Sequence, residues 1–220
     1  MEEFSDGQMN KPVAWQRLGE DFYNGSDVLL LARKLIGMKL VSNPGGKMSG
    51  GIITETEAYA GESDRASHAF GGRRTRRTET MYLKGGHAYI YLCYGIHSLF
   101  NVVTGQEGLP HAILIRGIVP VEGLANMRER IGREPDLVRD GAGPGKVTRL
   151  LGLNCSYDGV DLTNDRLIWI EQSAFTLSES IIGTTKRIGV DYAGEDALLP
   201  YRFVADHIAA IREIKMAGLV

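Results

Sequence analysis

Gly51-Ile52-Ile53-Thr54-Glu55-Thr56-Glu57-Ala58-Tyr59 is the stretch that decides the architecture. Its residues alternate with a period of two, which is the pattern of a β-strand. Ile53, Glu55, Glu57 and Tyr59 fall on one face, and Ile52, Thr54, Thr56 and Ala58 on the other. Two carboxylates two positions apart on one strand face can carry proton chemistry. On spacing alone they read equally as a solvated sheet edge, and spacing does not choose between Glu55 and Glu57.

Upstream, residues 24–37 read as a helix. Ser26 or Asp27 can accept the orphan N–H groups of its first turn, Val28, Leu29, Leu31, Ala32, Leu35 and Ile36 recur at helical spacing, and Gly37 ends it. Asn43-Pro44-Gly45-Gly46 is a turn. Downstream, residues 60–86 are rich in glycine and arginine and have no usable period. A long irregular segment inside a compact domain is usually functional. Residues 87–93 form a tyrosine-dense strand that Tyr94-Gly95 breaks, and residues 99–104 and 112–119 supply two more. This spacing predicts an antiparallel meander. Residues 122–131 and 146–151 read as helices, and 165–188 mostly as strand. In the tail, residues 205–220, Ile208, Ile211 and Ile214 recur every three residues and predict a short helix.

The chain has 220 residues, with 43% hydrophobic and 24% charged, which suits a globular protein with its own core. No uncharged apolar run approaches the ~18 residues that span a bilayer. The opening MEEFSD is acidic and does not resemble a secretory leader, and two cysteines, Cys93 and Cys155, are too few for a disulfide framework. The expected setting is the reducing cytoplasm. The formal charge is −2, but it is unevenly spread. From Arg65 to Lys84, six cations (Arg65, Arg73, Arg74, Arg76, Arg77 and Lys84) face one acid, Glu79, so this window carries +5 and the remainder −7. A basic segment on an acidic protein suits an anionic partner such as nucleic acid, or is simply a solvated loop.

Several familiar motifs fail. Gly141-Ala142-Gly143-Pro144-Gly145-Lys146 suggests a phosphate loop, but Asp140 stands where the first glycine is needed and Val147 where Ser or Thr is needed. The dinucleotide fingerprint fails because Lys146 replaces its third glycine. No histidine pairs with another histidine or a cysteine at zinc spacing, so no metal is expected. No G-x-S-x-G elbow is present.

What remains is a carboxylate strand, a basic loop and a tyrosine hairpin. Chemistry on a base inside duplex DNA needs phosphate grips, a side chain to fill the vacated stack and an aromatic pocket. Cutting the base from its sugar passes through an oxocarbenium-like state, which a carboxylate can steady while taking a proton from water.

Glu55-Thr56-Glu57-Ala58-Tyr59, Ser67-His68, Tyr89 to His97, Asn101-Val102-Val103, Leu114-Ile115-Arg116, Gly143-Pro144-Gly145-Lys146, Arg187 to Tyr192 and Pro200-Tyr201-Arg202-Phe203 occur in that order. Together they resemble the 3-methyladenine (alkyladenine) DNA glycosylase family over roughly residues 14–203, in its compact bacterial form. The resemblance implies a mixed α/β (α+β) fold. It is one domain over 1–220 with a curved, mainly antiparallel sheet and peripheral helices, like the C-terminal domain of a tRNA formyltransferase. It implies that Glu57 activates the attacking water and Arg116 helps hold it. Tyr59, His68, Tyr91 and Asn101 line the base pocket, and Tyr94 enters the duplex. Arg73, Arg74, Arg76, Arg77, Lys84 and Lys146 are then candidates for the DNA backbone. The implied partner is double-stranded DNA with damaged purines, acted on by a monomer without cofactor or metal. Family members often have Thr-Pro-Arg-Asn where this chain has Thr75-Arg76-Arg77-Thr78, which leaves the local loop shape open. Two rivals stand beside this reading. A non-catalytic nucleic-acid-binding module would not need Glu57 and Arg116 together. A glycosidase of free nucleosides would not need the basic loop or the wedge.

Overall fold

The computed structural model describes residues 13–220. The opening segment read above for a leader lies outside them. Nine strands form one antiparallel sheet: β1 (Gln16–Arg17), β2 (Lys39–Ser42), β3 (Ser49–Tyr59), β4 (Ala88–Cys93), β5 (His97–Thr104), β6 (His111–Glu122), β7 (Ile168–Gln172), β8 (Ile182–Thr185) and β9 (Arg202–Ala205). The main order is β1-β7-β2-β3-β6-β5-β4. β3 is the hub. β6 pairs along one of its edges, while β2 takes the first half of the other edge and β9 the second half. The mixed α/β class is as the resemblance implies, and the meander β4-β5-β6 is as the spacing predicts.

Five helices surround the sheet: α1 (Glu20–Tyr23), α2 (Val28–Lys34), α3 (Leu124–Ile131), α4 (Pro144–Leu151) and α5 (His207–Met216). Asp27 caps α2, its carboxylate accepting from the Leu30 N–H, so the helix is shorter than the periodicity alone suggests. Val28, Leu31 and Ala32 of α2 are buried, and the Ala32 carbonyl accepts from the Thr56 hydroxyl of β3 at 2.8 Å. The tail helix exists, with Ala210, Ile211 and Ile214 buried. One large apolar cluster joins α2, α4 and α5 to both halves of the sheet.

Two expectations need correction. Residues 165–188 are not mostly strand: β7 and β8 are short, and irregular chain joins them. The alternation along β3 is also imperfect. The register runs Ile53 to Ile118, Glu55 to Gly117, then Thr56 to Ile115, so Thr54 and Arg116 are each left over as bulges. Ile52 and Ile53, consecutive in register, both enter the main core although successive strand residues point to opposite faces. A bulge bends the strand and re-aims a side chain, and here it turns Arg116 toward Glu55 and Glu57.

Candidate active site

Glu57 is fully buried. One carboxylate oxygen accepts the Tyr59 hydroxyl at 2.8 Å, and the other accepts the Ile188 N–H at 2.8 Å and faces the Arg116 Nε at 3.3 Å. Burial pushes its pKa upward, and Arg116 opposes that shift. Glu55 lies beside it, accepting from Arg116 Nε at 2.9 Å and from Arg202 Nε at 2.6 Å. The solvated-edge reading of the two acids is therefore wrong. β9 pairs along that edge and brings Arg202 onto Glu55, and the Ile188 N–H caps Glu57, which the alternation of β3 cannot reveal. Arg116 lies within β6. Among the described residues only its Nε is engaged, which leaves its terminal donors available.

A cleft of about 1010 Å³ opens next to this cluster. Tyr59, His68, Tyr91, Asn101, Arg116 and Ile188 all contribute to its walls, while Glu57 stands directly behind Tyr59, Arg116 and Ile188. The His68 and Tyr91 rings meet edge to face at 4.6 Å, and Tyr89 lies 5.4 Å from Tyr91. The Tyr89 hydroxyl hydrogen-bonds His68 Nδ1 at 2.9 Å. Burial, with Arg77 and Arg73 nearby, lowers the His68 pKa to about 4, so its ring is neutral at neutral pH. Burial also holds the hydroxyls of Tyr59 and Tyr91 protonated well above their ordinary pKa. Asn101 is buried, and its amide donates to the carbonyls of Tyr89 and Leu99. Its side-chain oxygen makes no hydrogen bond among the described residues.

At the mouth of the cleft, Tyr94 caps the β4–β5 hairpin and is 89% exposed. Its φ of 50° is left-handed, and Gly95 follows at 72°. A non-glycine residue held there is uncommon, and Tyr94 is the sole example among the described residues. Ile96, also exposed, flanks it.

The six proposed phosphate grips separate into two groups. Arg77 and Lys146 line the cleft. Arg77 lies 4.9 Å over the Tyr91 ring. Arg73, Arg74, Arg76 and Lys84 do not line it: Arg74 forks onto Glu79 and Lys84 pairs with Glu20, all exposed. The unusual Thr78 restores a defined loop, since its hydroxyl accepts from the Thr75 N–H at 2.8 Å and donates to the Arg73 carbonyl at 3.1 Å. The glycine-rich segment before α4 also acquires a purpose. A Cβ on Gly141 would sit 1.7 Å from the Ile118 carbonyl oxygen. Glycine there lets the segment dock on β6, where the Gly143 N–H bonds the Arg116 carbonyl and Lys146 reaches the cleft.

Sequence reasoning missed four contributors: Asp64, Arg187, Ile188 and Arg202. Arg187 and Arg202 stand within blocks already noted in the sequence, but nothing local shows that they converge on β3. Among the described residues no three His, Cys, Asp or Glu side chains could together hold a metal ion, and no helix is long and apolar enough to cross a membrane.

An aromatic-lined cleft with a buried acid behind it and cations among its lining residues is an arrangement that can take a planar ring beside a proton acceptor. The family described as "Methylpurine-DNA glycosylase (MPG)" matches residues 21–208. A Chlamydia pneumoniae protein named "Putative 3-methyladenine DNA glycosylase" is 44% identical over 193 residues, covering 85% of this chain and 94% of its own. Proteins of the same name from Desulfitobacterium hafniense and Bacillus cereus are 42% and 41% identical, each covering 92% or more of its own length. The chain belongs to the methylpurine-DNA glycosylase family.

Proposed function

We propose that this protein removes alkylated purines from duplex DNA by hydrolysing the N-glycosidic bond and leaves an abasic site. The observation that carries the reading is the burial of Glu57 against Arg116 directly behind an aromatic cleft. A damaged nucleotide rotates out of the stack, and its base lies among Tyr59, His68 and Tyr91. Stacking contributes ~1–3 kcal/mol per base, and a cationic base gains roughly 0.5–2 kcal/mol more from each well-placed ring. Damaged pairs also open at lower cost. Tyr94 fills the gap in the duplex, held outward by its hairpin.

The Glu57 oxygen that accepts the Tyr59 hydroxyl keeps a second lone pair; because the carboxylate is fully buried, a water donates to it only once admitted past Tyr59 and Arg116. The free donors of Arg116 orient that water. The water oxygen bonds to C1′, the C1′–N bond breaks, its electron pair leaves with the base, and Glu57 takes the water proton. Burial raises the basicity of Glu57, and Arg116 opposes that shift. A positioned base of this kind supplies ~10²–10⁴ in rate. A cationic base leaves without an acid, which suits a site with one basic carboxylate. Lys146 and Arg77 grip the phosphates as a monomer tracks the duplex.

Purified protein is incubated with duplexes that each contain one defined lesion, and alkali then converts abasic sites to strand breaks. Scission at an alkylated purine, abolished by Glu57→Gln with lesion binding retained, is the expected result. Equal excision by Glu57→Gln refutes the mechanism. Activity only on free nucleosides, with binding indifferent to salt, would favour the nucleoside rival.

A further inference from the structure

Arg187 and Asp64 form an ion pair with almost no exposure, deep behind the cleft. The guanidinium forks onto both Asp64 oxygens, and the same nitrogens donate to the carbonyls of Ala58 at 2.9 Å and Asp196 at 3.1 Å. It sits between two rings, 4.9 Å from Tyr59 and 5.1 Å from Tyr201. Asp64 in turn accepts the N–H groups of Ala60 and Ala66, on the segment that leads to His68. One charge pair therefore ties together the end of β3, the start of the basic loop, and residues 187–196. The residue after Arg187 is Ile188, whose N–H bonds Glu57.

Stability alone does not account for this arrangement. A buried ion pair is often no better than apolar residues of the same volume. Arg187 Nε is also buried without a partner among the described residues, a cost that a purely structural contact would avoid. What the pair supplies is geometry. Its fork fixes these three segments at once, and two of them carry Tyr59 and the Ile188 amide.

We propose that Arg187, locked by Asp64, is a positioning residue that holds the Ile188 N–H on Glu57 and the Tyr59 ring in the cleft wall. The proposal rests on Glu57 being the base of the reaction above, but its first test does not need activity. Loss of the Ile188 N–H bond disfavours the ionised carboxylate. Carbon-13 carboxyl NMR, with the Glu57 signal assigned by its loss in Glu57→Gln, reads this directly. Two variants are compared with wild type: Arg187→Lys, which keeps the charge and loses the fork, and the double variant Arg187→Met with Asp64→Leu, which removes both charges and keeps an apolar core.

The double variant is expected to fold with a Tm below that of wild type, because it orphans the Ala60 and Ala66 N–H groups, and is read at temperatures where it remains folded. In both variants Glu57 titrates at higher pH than in wild type. Single-turnover excision at neutral pH falls about 10- to 100-fold, the acidic limb of its pH profile moves upward, and affinity for an abasic-site duplex changes less than about threefold. An unmoved Glu57 titration in both folded variants overturns the proposal. So does a double variant with wild-type excision and an unmoved acidic limb. Should wild type excise nothing while the NMR shift appears, the catalytic reading fails and the positioning role stands.

Discussion

The charged groups on β3 and those on the basic loop obey opposite rules. Around Glu55 and Glu57 each charge is enclosed, and Arg116, Arg202 and Ile188 reach those acids with hydrogen bonds or close ion contacts. From Arg73 to Lys84 the charges stand in solvent, and two of them are held by exposed acids. Exposed pairs contribute ~0–1 kcal/mol and weaken with salt. They can be traded for phosphates at little cost. Buried pairs cannot, because a stripped partner leaves an uncompensated charge. The enclosed region fixes geometry for a reaction, and the exposed region remains free to associate.

The sharpest break of this contrast is Glu57→Gln. It should reduce single-turnover excision by at least ~10²-fold while sparing affinity, since only the proton acceptor is lost. Removal of a buried charge with a raised pKa should also leave Tm at neutral pH unchanged or higher. A large loss of affinity would place Glu57 in binding instead. Next comes Tyr94→Ala, which deletes the one exposed aromatic held in left-handed backbone. Affinity for an abasic-site duplex should drop by roughly one stacking contact, about tenfold, without change in Tm. Unchanged affinity would remove the wedge.

Smaller effects test the rim. Arg77→Ala should lower affinity several-fold and reduce the salt slope by about one phosphate contact. Arg74→Ala should do less, because Glu79 already occupies that guanidinium. Equal slopes for the two would erase the distinction between cleft-facing and acid-paired cations. The smallest expected effect is on stability against pH. His68 titrates near 4 in the folded chain and near 6.5 when unfolded, so the unfolded state takes up the proton first. Its contribution is full above pH 6.5 and is lost as pH falls toward 4. His68→Gln should flatten this window in Tm measured against pH, and an unaltered acid slope would contradict it.

Much of this was legible along the chain. Period-two alternation marked β3, although both of its faces are buried, and the spacing of the strands marked the meander. Asp27 marked a helix start because its carboxylate satisfies a backbone donor. The cluster of arginines marked the rim, and the ordered motifs singled out Glu57, Tyr59, His68, Tyr91, Tyr94, Asn101 and Arg116. The bulges at Thr54 and Arg116 were not legible, since register depends on the partner strand. Nor was the enclosure of Glu55 and Glu57, which requires β9 to pair beside β3 and the Ile188 N–H to reach Glu57 from more than a hundred residues away.

The sequence by itself determined most of the elements and the family, because these depend on local periodicity and on residue types in order. Only the tertiary structure decided which charges are enclosed and which remain in water. That choice depends on contacts between distant segments, such as Arg187 with Asp64 and Arg202 with Glu55, and on the solvent those contacts exclude.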